Sequence, residues 1–155
     1  MRRSALVAGL VASRLGFALV QAVLILAIGG LVFGVDWGDP LAVAVLVTAF
    51  ALVATGVGVL AGVVARTPEQ TAAVGVPLGI GLGMLGGCMW PLELVGGTMR
   101  AVGHATPHAW AMDGFLTLVF DGGGLADIGV EVAVLVAYAA AVLGVSLALA
   151  DRRLR

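Results

Sequence analysis

The fold class this sequence predicts is all-α: a polytopic bundle of membrane-spanning helices, on three observations. Of 155 residues, 61% are hydrophobic and only 11% charged, with a mean hydropathy of +1.15, far from the balance of a soluble domain. Four apolar runs reach the roughly 20 residues a helix needs to cross the hydrocarbon layer. The breaks between them carry residues that stop helices: Asp36-Trp37-Gly38-Asp39-Pro40, Arg66-Thr67-Pro68-Glu69-Gln70 and Asp121-Gly122-Gly123-Gly124. The whole of 1–155 reads as one transmembrane domain.

The first expected span is 15–35. Arg2 and Arg3 ahead of apolar residues resemble the start of a signal peptide, but the run is too long for an h-region. No A-x-A site follows it, and further apolar runs do, so it is expected to be retained. The second span is expected at 41–65, with Gly58 and Gly62 one turn apart.

The third span, 71–90, contains Gly81, Gly83 and Gly86, which fit G-x-G-x-x-G letter for letter. That fingerprint needs a strand before it and an acid further along a βαβ unit, and neither is present. A second register is more informative: Gly75, Gly79, Gly83 and Gly87 recur every four residues, the spacing at which small residues let membrane helices approach closely. They are expected to pack helices, not to hold a nucleotide.

Residues 91–120 are apolar but broken by Pro91, Pro107 and several ionisable groups, so they do not form an ordinary span. Leu92, Val95, Met99 and Val102 repeat at helical spacing, with Glu93 and Arg100 on the polar side. After this short amphipathic helix, Pro107 marks a second helix start with Thr106 as its N-cap. The expectation is a re-entrant or interfacial helical hairpin dipping into the outer leaflet. The fourth span follows at 128–150.

Arginine accumulates on the cytoplasmic side of membranes. With both termini inside, Arg2, Arg3, Arg14, Arg66, Arg152, Arg153 and Arg155 are cytoplasmic and only Arg100 is outside, while Asp36, Asp39, Asp121 and Asp127 face outward. The opposite orientation reverses that split.

No lysine is present, so no phosphate loop of the G-x-x-x-x-G-K-[ST] type exists and ATP is not hydrolysed by that route. The net charge of -1 gives nucleic acid no basic surface to follow. The single Cys88, in an apolar run, excludes an internal disulfide and reads as a small buried packing residue. His104 and His108 are four apart, but Pro107 intervenes and no third ligand has suitable spacing. Neither a metal nor a cofactor is expected, and no catalytic set of Ser, His and Asp converges.

Asp113, sharing a helix face with Trp110 and Thr117, stands out because a carboxylate in an apolar helix is costly unless paired or facing water. It belongs to a pathway, caps the hairpin, or snorkels to the surface. Glu131 sits near the interface, and Gln21, Thr48, Thr55 and Ser146 are expected to bond neighbouring helices or their own backbone.

The order of apolar span, Arg-Thr-Pro-Glu-Gln loop, Gly86-Gly87-Cys88-Met89-Trp90-Pro91-Leu92-Glu93, then Thr106-Pro107-His108-Ala109-Trp110-Ala111-Met112-Asp113-Gly114 resembles the C-terminal part of ABC-2 type transporter permeases, including bacterial drug and antibiotic exporters. The resemblance implies a permease subunit of the bacterial cytoplasmic membrane that forms a homodimer or heterodimer, engages a cytosolic ATP-binding subunit and exports a lipophilic or amphipathic solute. It points to Glu93, Pro107, Trp110 and Asp113 for the pathway and hairpin, and to Arg14, Arg66 and Glu69 for coupling to the ATPase. The family usually has six spans, so Met1 is expected to fall after the second of them, and the lack of Lys and Asn suggests a G+C-rich genome. Two other readings stay open: a non-transporting scaffold, immunity protein or truncated relic, which needs no ATPase, and a channel or proton-coupled carrier, whose flux persists without ATP.

Overall fold

The computed structural model describes residues 3–65 and 67–153, without the side chains of residues 3–8, 93 and 151–153. The described residues are helical and contain no strand. In order they form α1 (Arg3–Phe33), α2 (Pro40–Val64), α3 (Pro68–Leu85), a 3-10 turn (Leu92–Leu94), α4 (Gly97–Gly103), α5 (Pro107–Phe120) and α6 (Gly129–Arg153). Three of these, α1, α2 and α6, are long and apolar enough to cross a membrane.

Local chemistry sets each boundary. α1 starts well before the expected residue 15, because nothing between Arg3 and Arg14 breaks a helix. It ends at Phe33, where Gly34 takes φ +68°, a left-handed turn that suits glycine. Asp39 caps α2 by accepting from the Leu41 and Ala42 amides at 2.8 and 3.4 Å, with Pro40 in the first turn, where its missing N–H costs nothing. Thr67 does the same for α3, accepting from the Gln70 amide at 3.3 Å ahead of Pro68.

α3 is shorter than the expected 71–90. It stops at Leu85 because Gly86 ends the helix and Gly87 turns back at φ +86°. Gly87 therefore lies outside the helix that was to carry it, and Cys88, expected to be buried, is exposed in the following turn. The amphipathic helix expected from Leu92 is shorter too: Val95 and Gly96 separate the 3-10 turn from α4.

The core lies on α2. Leu46, Val53, Leu118, Leu135 and Ala139 are all buried in one cluster with Ala42 and Ala49. α2 and α6 make the most extensive contact, and its register is parallel: Thr48 and Leu52 lie beside Val132 and Val136, and a turn further on Gly56 meets Val142 and Leu143. A Cβ on Gly56 would stand 3.3 Å from both side chains, so glycine allows this approach. The Ser146 hydroxyl donates to the Val142 carbonyl at 2.7 Å and lies 3.3 Å from the Gly56 carbonyl.

α1 runs antiparallel to α2. Trp37, in the loop between them, folds back over Gly29 and Gly30, and its indole N–H donates to the Leu26 carbonyl at 3.0 Å. The end of the bundle where α1 finishes and α2 and α6 begin is called the head below; the opposite end is the foot.

Candidate functional site: the hairpin at the head of the bundle

α4, a tight turn and α5 form a helical hairpin packed on α2, α3 and α6. Register sets its position. The start of α5 lies beside the middle of α2, where His108 meets Phe50 edge-on at 5.1 Å. Further along, Gly114 packs on Leu46, and the Leu118 carbonyl reaches Gly38 at the head. Phe50 is about 15 Å along α2 from Pro40, at 1.5 Å per residue. On the other side, the Tyr138 hydroxyl donates to the Ala105 carbonyl at 3.0 Å, a similar distance down α6. The hairpin turn is thus sunk between the long helices, and α5 climbs from there to the head.

Glycines make this seat. A Cβ on Gly86 would collide with His108, the Ala109 amide and the Thr106 hydroxyl, and one on Gly103 would meet the Leu85 carbonyl at 2.8 Å. Thr106 does precede α5 with an extended backbone, but it makes no side-chain cap; its hydroxyl donates instead to the Gly103 carbonyl at 2.8 Å, tightening the turn. Pro107 is the first residue of α5.

Asp113 is paired. The His104 Nε2 lies 2.7 Å from Asp113 Oδ2, and its Nδ1 lies 2.8 Å from the Arg100 carbonyl. Trp110 stands edge-on to the His104 ring at 5.1 Å and donates its N–H to the His104 carbonyl at 2.9 Å. Both ring nitrogens face acceptors, so both bonds form only when the pair holds one proton beyond a neutral imidazole and a carboxylate. The Arg100 carbonyl above all, with Asp113 adding to it, raises the His104 pKa from its ordinary value against the opposing effects of burial and the Arg100 charge. This proton-holding tie joins the two arms of the hairpin.

His108 faces Phe50 and the end of α3 instead, with Nδ1 buried and unpartnered. The two histidines therefore address different elements. Among the described residues no group of three potential metal ligands occurs. Glu131 places one oxygen, buried and unpartnered, near the start of α6.

Other sequence-predicted residues lie elsewhere. The Glu93 side chain and Arg66 lie outside the described residues. Glu69 is exposed in the first turn of α3, where the backbone amide, then the Thr67 hydroxyl, hold its pKa below the usual value. Arg14 is near the foot of α1, over Gly58. Gly75 and Gly79 are exposed with nothing within 4 Å of a Cβ position, while Gly83 approaches His108. Sequence reasoning missed His104 as the partner of Asp113, and missed Trp37, Gly56 and Tyr138. The available signal was the turn before Pro107, which reverses the chain and brings residues nine apart together.

Long apolar helices around a sunken hairpin define a polytopic membrane protein. The chain belongs to the ABC-2 type transporter family, whose profile matches residues 1–120. Over 108 residues it is 36% identical to the linearmycin resistance permease protein LnrN of Bacillus subtilis (strain 168), an alignment covering 70% of this chain and 28% of that protein. The chain thus spans less than a third of that relative's length. No solved structure matches it.

Proposed function

We propose that this chain is the membrane subunit of an ATP-driven exporter of the bacterial cytoplasmic membrane, moving a lipophilic or amphipathic solute. The family match over residues 1–120 carries the reading, and the likeness to a protein named as a resistance permease supports the solute class. ATP is hydrolysed by a separate cytosolic subunit, and two permease subunits pair around the pathway.

In this reading the chain crosses the membrane four times, with the head outward and both termini cytoplasmic. The parallel register of α2 and α6 supports both ends lying at the foot, and the arginine distribution supports the foot as the cytoplasmic side. α2 finishes at the foot and α6 starts at the head, so residues 65–128 make one net crossing between them. α3, about 27 Å long at 1.5 Å per residue, provides most of that rise, and the hairpin completes it as a re-entrant element in the outer leaflet. His104, Trp110 and Asp113 brace the hairpin where it closes the pathway from outside. Glu69 and the loop before it, at the foot, face the ATPase, with Arg66 in the same loop.

The experiment is site-specific photocrosslinking from position 69 in cells, with Gly122 as the control position. Capture of a phosphate-loop ATPase at 69 but not at 122 is the expected outcome. A stably folded chain that captures no ATPase at 69 contradicts the reading.

A further inference from the structure

A groove between α1 and α2 runs from foot to head, with a cationic foot, an apolar middle and Asp36 and Thr48 at the head. At the foot a cavity of about 380 Å³ is lined by Arg14, Gln21, Thr55 and Gly58. Through Ala18, Gln21 and Ala54 it continues into a cavity of about 390 Å³ lined by Leu26, Phe50 and Phe115. That in turn shares Leu26 and Val47 with a third of about 580 Å³, which ends at Trp37.

Two observations at the foot point to what enters. Arg14 makes no ion pair among the described residues, and its guanidinium lies against α2, 3.4 Å from the position a Cβ on Gly58 would take. Thr55 is 4% exposed, and its hydroxyl has no hydrogen-bond partner, although a threonine within a helix ordinarily bonds the preceding turn, as Thr48 does to the Ala44 carbonyl at 2.7 Å. Arg14 is about 28 Å along α1 from Phe33, nearly the thickness of the hydrocarbon layer, which sets the cation at the headgroup boundary.

We infer that this groove binds an anionic amphiphile from the inner leaflet, its acid head on Arg14 beside Thr55 and Gln21 and its apolar chain along Leu26, Phe50 and Phe115. The acid supplies the charge that Arg14 lacks, and the chain displaces lipid from an apolar channel. The inference rests on the exporter reading in taking the bound molecule for cargo and in placing the foot at the inner leaflet. Binding is measured without an ATPase, so each idea can fail alone.

The test is native mass spectrometry of the full chain in maltoside detergent, titrated with oleate, oleyl alcohol, dioleoyl phosphatidate and inorganic phosphate. Oleate or phosphatidate is expected to bind at least about tenfold more tightly than the alcohol, as a charge-assisted hydrogen bond allows. Arg14→Gln is expected to erase that preference without weakening the alcohol. Oleate binding without phosphatidate supports a single-chain solute, and phosphatidate binding without oleate supports a bilayer lipid. Equal binding of oleate and alcohol, an unaltered preference in Arg14→Gln, or inorganic phosphate binding as tightly as the acids overturns the inference. Ala54→Leu, which fills the junction of the head and chain cavities, provides a second arm if Arg14→Gln does not fold: it is expected to abolish oleate and phosphatidate binding, and retention of both overturns the inference.

Discussion

At the scale of single residues, the His104–Asp113 tie is the hairpin's most specific bond. Each side chain is 20% exposed, so solvent weakens the pair relative to a buried one. His104→Ala or Asp113→Asn is expected to cost about 1–2 kcal/mol, read as a lower Tm in detergent. The double change is expected to cost less than the sum, as for partners in one bond. The proton count gives the tie a pH dependence. A histidine whose folded pKa is raised contributes stability that is fully present below its unfolded value, about 6.5, and lost as pH rises through the folded value. Raising the pH from 6 to 9 is therefore expected to lower the Tm of the parent by more than that of the double variant; equal drops contradict the tie. None of this was legible from composition. Asp113 was visible as a costly carboxylate, but its partner depends on a turn whose geometry is set by Gly103, Thr106 and Pro107 acting together.

At the scale of elements, the long helices were legible because an uninterrupted apolar run leaves few alternatives in a membrane. Their ends were less so. α3 stops five residues early because Gly87, which satisfied a four-residue packing period, also satisfies a helix stop together with Gly86, and backbone conformation at Gly87 decides between the two. The glycine that lets α2 approach α6 is instead Gly56, which lies outside that stripe. Gly56→Leu is expected to separate α2 from α6 at a cost of about 1–3 kcal/mol or more, seen as lost cysteine crosslinking between residues 53 and 139. Gly75 and Gly79 offer the opposite case. With open space at both positions, Gly75→Leu and Gly79→Leu are expected to leave the monomer's Tm unchanged and to weaken assembly if that stripe packs against the second permease subunit. An intact dimer by blue-native electrophoresis in both variants removes the stripe from the subunit interface.

At the scale of the whole molecule, the parallel register of α2 and α6 argues that both ends lie on one side, and the arginine distribution argues that this side is the cytoplasm. The first argument comes from packing between residues about 90 apart in sequence, the second from where charge is tolerated. With Cys88→Ser as background, single cysteines at 36 and 122 are expected to react with an impermeant maleimide in intact cells, and a cysteine at 69 only after permeabilisation. Transport is the claim on which the rest depends. Its most direct measurement is accumulation of a fluorescent amphipathic solute in inverted membrane vesicles from cells producing this chain with the proposed ATPase partner. Uptake that requires ATP, and that falls severalfold when His104 and Asp113 are both replaced by alanine, is what the account predicts; uptake that is equal with and without ATP, or absent while the ATPase remains bound, would contradict it.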